Sequence, residues 1–154
     1  MGTVKDEKLD ANFKYEVSAK PGGENIKLCF ACGTCTAACP VAGVDDEFNP
    51  RKIIRMVLLG MRKEVLSSPV IWRCVQCYSC TVKCPQNVKF RDVMKVLRDM
   101  AVAEGFVDPS VLSEMQRLDE TVVKLRGRLV RKLLADRTEY ENAIREMETT
   151  AAKN

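Results

Sequence analysis

Apolar positions recur with a helical period over the middle of the chain. Ile53, Val57, Met61 and Val65 stand four apart, with Ile54 and Leu58 beside them, so a helix running from Asn49 toward Leu66 would carry one apolar face. Asn49 supplies an N-cap and Pro50 a first helical residue whose missing N–H is not needed there. Pro69 marks the end of the stretch. Phe90, Val93, Met94, Leu97 and Met100 or Ala101 line one face of a second helix, which Gly105 closes in the left-handed conformation. A third begins with Asp108 as N-cap and Pro109 at the first turn. There Val111, Met115, Leu118, Val122, Leu125 and Leu129 alternate spacings of four and three, a heptad seam that must cover its apolar side on the rest of the chain or on a partner. Polar residues dominate from Asp136 onward, and the last few are expected to fray.

The N-terminal stretch carries less pattern. Phe13-Lys14-Tyr15-Glu16-Val17 alternates as a short strand does, and Lys20-Pro21-Gly22-Gly23 reads as a turn or linker. Residues 1–25 are therefore expected to form an arm, mobile or ordered by a partner. The longest apolar run, Ile53 to Leu66, is interrupted by Arg55, Arg62, Lys63 and Glu64, which excludes a membrane span there. A length of 154 residues is one domain's worth, and a hydrophobic content of 46% is enough to bury a core.

Cysteine changes the picture. Cys29, Cys32, Cys35 and Cys39-Pro40 form one block, and Cys74, Cys77, Cys80 and Cys84-Pro85 a second, each spelling C-x2-C-x2-C-x3-C-P with no cysteine left over. The second block lies 45 residues after the first at every cysteine, an internal duplication in which Gly33-Thr34 is replaced by Tyr78-Ser79. This run is the ligand pattern of chains with two 4Fe-4S clusters. Three thiolates spaced by two residues sit on one tight loop and grip three corners of a cubane. The same loop cannot reach the fourth corner, so a distant cysteine supplies it. By that rule Cys29, Cys32, Cys35 and Cys84 hold one cluster, and Cys74, Cys77, Cys80 and Cys39 the other. Gly33 and Thr34 leave space for backbone amides to approach the first cluster, whereas Gln76, Tyr78 and Ser79 surround the second, so the two potentials should differ.

Two other uses of paired cysteines compete. A disulfide framework belongs to oxidising compartments, and Met1-Gly2-Thr3-Val4-Lys5-Asp6-Glu7 shows no apolar segment of a secretory signal; a cytoplasmic setting is expected. Zinc knuckles use two pairs, whereas each block here has a third cysteine and a Cys-Pro step. The formal charge of +4 counts thiols as neutral. Eight thiolates and two oxidised cubane cores, about four positive charges together, bring the loaded chain near neutrality, so basicity gives no argument for nucleic acid. Histidine is absent, which removes the commonest general acid-base group and any Rieske-type ligand. No catalytic constellation is legible.

The stretches Cys29-Phe30-Ala31-Cys32-Gly33-Thr34-Cys35-Thr36-Ala37-Ala38-Cys39-Pro40 and Trp72-Arg73-Cys74-Val75-Gln76-Cys77-Tyr78-Ser79-Cys80 resemble the iron-sulfur C subunit of heterodisulfide reductase. Arg51 to Gly60 resembles the helix between the blocks in that family, and the likeness runs from about Leu28 to Phe106. The resemblance implies an all-α helical ferredoxin fold, in keeping with the helices above; together with the pattern of the tails, this divides the chain into an arm over 1–25, a dicluster domain over 26–106 and a helical extension over 107–154. It also implies two partners, a flavin- and iron-sulfur-bearing A subunit and a disulfide-reducing B subunit, with single electrons relayed between them. The chain has no adjacent cysteine pair, so it lacks the CCG motifs of a B subunit. The alternatives are the iron-sulfur subunit of a quinone-linked, membrane-associated oxidoreductase or a free dicluster ferredoxin. The first usually adds a plant-type C-x4-C-x2-C domain or CCG modules, neither of which occurs here. The second leaves the C-terminal seam without a use.

Overall fold

A computed structural model describes residues 9–151, and every regular element among them is helical. In chain order these are α1 (Phe13–Ser18), α2 (Thr34–Ala37), α3 (Pro50–Leu58), α4 (Arg62–Leu66), α5 (Ser79–Lys83), α6 (Phe90–Ala103), α7 (Ser110–Ala135) and α8 (Arg137–Ala151), with 3-10 turns at Ile26–Leu28 and Pro69–Trp72. The chain divides after Asp108 into two compact units.

In the first unit α1, α3, α4 and α6 pack around one apolar core. Phe13, Val17, Phe48, Ile54, Val57, Leu66, Met94 and Leu97 are fully buried in it. α3 starts as the sequence suggests: Asn49 Oδ1 accepts the Lys52 N–H at 3.0 Å, and Pro50 stands at the first turn. α6 buries Phe90, Val93, Met94, Leu97, Met100 and Ala101 and ends at Gly105 (φ +73). The Phe106 N–H reaches the Ala101 carbonyl at 2.9 Å and the Gly105 N–H that of Val102 at 3.0 Å, a Schellman closure.

Two expectations need correction. Phe13–Val17 is not a strand but helix α1, which anchors this part of the expected arm to the core through buried Phe13 and Val17; residues 1–8 of the arm lie outside the described residues. Phe13 and Val17 are four apart as well as on alternate positions, so both fall on one face of a helix, and tertiary burial selects that option. Nor is there one helix from Asn49 to Leu66. α3 stops at Leu58 because Gly60 takes φ +79, the Met61 N–H bonding back to the Met56 carbonyl and the Gly60 N–H to that of Val57. The chain then restarts in α4. The break serves packing: a Cβ on Gly60 would lie 2.3 Å from the Asp10 carbonyl oxygen, and the Asp10 N–H donates to the Gly60 carbonyl at 2.8 Å. Just beyond it, Arg62 pairs with Asp10, Glu16 and Glu104 at 2.7–2.9 Å and lies over the Phe13 ring, which ties α1, α4 and the end of α6 together.

The second unit consists of α7 and α8. α7 begins at Ser110, one residue later than the sequence suggests. Extended Asp136 (φ −150) separates the two helices, and its carboxylate caps α8 by accepting from the Thr138 and Glu139 N–H groups at 2.8 and 3.2 Å. No residue of either helix is buried, and Leu118 and Val122 of the seam are each 52% exposed. Among the described residues no helix is long and apolar enough to cross a membrane.

Candidate metal centre

Both cysteine blocks fold the same way, as the duplication requires. Each begins on a loop and runs into a short helix, α2 after the first and α5 after the second, and these two helices touch. Left-handed backbone recurs in register: Ala31 (φ +59) and Gly33 (φ +85) in the first loop correspond to Gln76 (φ +52) and Tyr78 (φ +64) in the second. Alternating conformations of this kind turn successive N–H groups into one concavity, suited to a negatively charged group. Accordingly the Ala31 N–H points at Cys29 Sγ, 3.4 Å away. The first loop is fastened from outside. Thr36 Oγ1 donates to the α3 cap Asn49 at 3.1 Å and accepts the Arg51 N–H at 3.0 Å.

None of the eight cysteines is in a disulfide, and they gather around two hollows. One is lined by Cys39, Cys74, Cys77 and Cys80 with Val41, Phe48, Tyr78 and Arg91. The other is lined by Cys29, Cys32, Cys35 and Cys84 with Ile54 and Val88. Cys80 and Phe90 belong to the walls of both, so the hollows are neighbours. Among the described residues no three Cys, Asp or Glu groups converge tightly enough for a single metal ion. A roomier hollow of about 120 Å³, lined by Lys52, Met56, Glu64 and Ile71 among others, contains no thiol.

The thiols differ in environment. Cys32 is exposed, and hydrogen bonding from the Thr34 hydroxyl, 3.3 Å away, and from its N–H holds the thiol below the usual range. Burial pushes Cys35, Cys74 and Cys80 up. At Cys74 the Gln76 N–H and the Arg98 charge oppose that shift, and at Cys80 the Arg91 backbone N–H does so. Buried thiols ionise readily only beside positive charge, which coordinated iron supplies.

Three arginines stand near the hollows, and no local pattern in the sequence singles them out. Arg51 of α3 lies beside Gly33 and lines the first. Arg91 of α6 lines the second, its guanidinium 4.6 Å from the centre of the Tyr78 ring and bonded to Gln76 Oε1 at 2.7 Å. Arg98 is buried at 5% exposure and donates to the carbonyls of Ile71, Trp72 and Cys74 at 2.9–3.0 Å. The sequence offers only the phase of Arg98, which stands four residues after Met94 and three before Ala101, in line with the apolar face of α6.

Comparison with known proteins agrees with this geometry. Residues 25–88 match the 4Fe-4S dicluster domain. The chain is 40% identical over 102 residues to the C subunit of the H(2):CoB-CoM heterodisulfide,ferredoxin reductase of Methanothermobacter thermautotrophicus, covering 66% of this chain and 54% of that one. It is 39% identical over 112 residues to an iron-sulfur C subunit of the CoB--CoM heterodisulfide reductase of Methanocaldococcus jannaschii, covering 68% and 59%. To a protein of Archaeoglobus profundus described as like the C subunit of heterodisulfide reductase it is 34% identical over 119 residues, covering 76% and 63%. The chain thus spans somewhat more than half the length of these curated relatives. With two hollows ringed by eight thiols inside the matched segment, the chain carries a 4Fe-4S dicluster domain similar to that of the heterodisulfide reductase C subunits, and its cofactors are two 4Fe-4S clusters.

Proposed function

We propose that this chain is the electron-relay component of a heterodisulfide-reductase-like complex. It stands between a flavin- and iron-sulfur-bearing A-type subunit and a disulfide-reducing B-type subunit in the cytoplasm. When bound, the clusters supply one-electron redox chemistry. Cys29, Cys32, Cys35 and Cys84 hold one of them and Cys74, Cys77, Cys80 and Cys39 the other. The observation that carries the reading is the pair of adjoining hollows, each lined by three cysteines of one block and the fourth of the other, with Cys80 on the wall of both. Relay between two partners needs neighbouring sites, each with an edge toward solvent. Cys32 and Cys77, the middle thiols of the two loops, are both exposed. Apolar Phe30 and Val75, 45 residues apart in equivalent positions, are exposed beside them, as contact residues of a partner would be. The polypeptide positions the sites, supplies N–H groups to the sulfurs and keeps water from the buried thiolates.

The test is purification of the native assembly under anoxic conditions. The expected result is about eight iron and eight acid-labile sulfide per chain, with a flavoprotein and a CCG-containing protein in the same fractions. Stoichiometric zinc without sulfide, or a chain that elutes alone, would sink the relay reading.

A further inference from the structure

Reduction adds negative charge to a site that already holds four thiolates, and burial penalises the more charged form. The second site is the more enclosed: Cys74 and Cys80 are 9% and 8% exposed, whereas no cysteine of the first block is buried. Unless something compensates, the second cluster would be the harder to reduce. The compensation is built into α6. Arg98 keeps its proton under all ordinary conditions. Its fork is fixed by the carbonyls of Ile71, Trp72 and Cys74 and by the Trp72 ring, 5.6 Å away. At 5% exposure its field is screened far less than that of a surface charge. Arg91 reaches the wall of the same hollow, although Asp92, 2.8 Å from Nη1, offsets part of its charge. Among the described residues the wall of the first hollow holds one charged side chain, exposed Arg51, where water screens the interaction.

We propose that Arg98, assisted by Arg91, sets the reduction potential of the cluster on the Cys74–Cys80 loop, holding it up against the depression that burial imposes. This rests on the functional reading above only so far as Cys74, Cys77 and Cys80 hold one cluster; it does not depend on whether Cys39 or Cys84 completes it. Both arginines are positioning residues whose charge acts on the cluster without ligating it.

The experiment is an anoxic redox titration of the full, cluster-loaded chain followed by EPR, with iron, sulfide and melting temperature measured alongside. Cys77→Ser and Cys32→Ser identify which signal belongs to which loop. Arg98→Met should lower the reduction equilibrium of the Cys74–Cys80 cluster at least tenfold, which is 59 mV for one electron. Arg91→Gln should shift it in the same direction by less, and the other cluster should move less in both variants. Arg98→Lys, which keeps the charge but loses the fork, should retain most of the wild-type potential. An unchanged potential in Arg91→Gln and Arg98→Met with iron intact overturns the proposal. So does Arg98→Lys falling as far as Arg98→Met, which would assign the effect to the carbonyl clamp. If Arg98→Met fails to fold, an unchanged potential in Arg91→Gln alone overturns it. A wild-type chain with no reducible signal would instead sink the two-cluster reading.

Discussion

At the scale of single residues, the informative positions are those with no freedom to change. Cys84 lies in the second block yet lines the hollow of the first. Cys84→Ser should therefore alter the EPR signal of the cluster on the Cys29–Cys35 loop more than that of its own neighbours. A change confined to the Cys74–Cys80 cluster would reverse the crossed assignment. Gly60 is constrained by backbone alone: with φ +79 and an Asp10 carbonyl 2.3 Å from any added Cβ, Gly60→Ala should cost at least about 2 kcal/mol in chemical denaturation of the loaded chain. The two kinds of residue were not equally legible. Cysteine spacing is local and repeats in register, so the ligands stand out in the sequence. Arg98 acquires its meaning only when α6 folds against Ile71–Cys74, some 25 positions upstream, and no local spacing announces that contact.

Among the elements, α3 carries more than its own fold. Its cap Asn49 also accepts from Thr36 of α2, so one side chain fixes both the helix start and the exit of the first cysteine loop. Asn49→Ala should cost about 1 kcal/mol of stability and, through the freed Thr36, should broaden the EPR signal of the Cys29–Cys35 cluster. Asn49→Asp, which keeps the acceptor, should restore both. Capping signals at Asn49 and Gly105 were readable because each satisfies helix-end groups that every helix leaves open. The break at Gly60 was obscured because Met61 and Val65 happen to continue the apolar stripe of α3. Over Phe13–Val17 five residues are too few to separate a period of two from one of 3.6, and only the burial of Phe13 and Val17 decides between them.

For the molecule as a whole, the division after Asp108 separates a unit that supplies all eight thiols from one that supplies none. The heptad seam of α7 was legible as a pattern, and within its own unit α8 leaves it uncovered: Leu118 and Leu125 are 52% and 42% exposed. We expect the seam to dock on a partner protein. Truncation after Asp108 should leave iron content and absorbance intact while weakening co-purification of the complex. Leu118→Glu with Leu125→Glu should do the same, since a charge buried at an interface without a partner is costly. Normal assembly of either variant would assign the seam to another role, and loss of iron on truncation would make α7 part of the cluster unit.

The sharing of walls between the two hollows has a consequence for biogenesis. During translation the first loop emerges 45 residues before its counterpart, and until Cys84 arrives its hollow lacks a side. A nascent chain could therefore hold iron there only with a vacant corner open to oxygen or to a scaffold protein. Maturation should be all-or-none: chains sampled under limiting iron should separate into fully loaded and empty populations, with few carrying a single cluster.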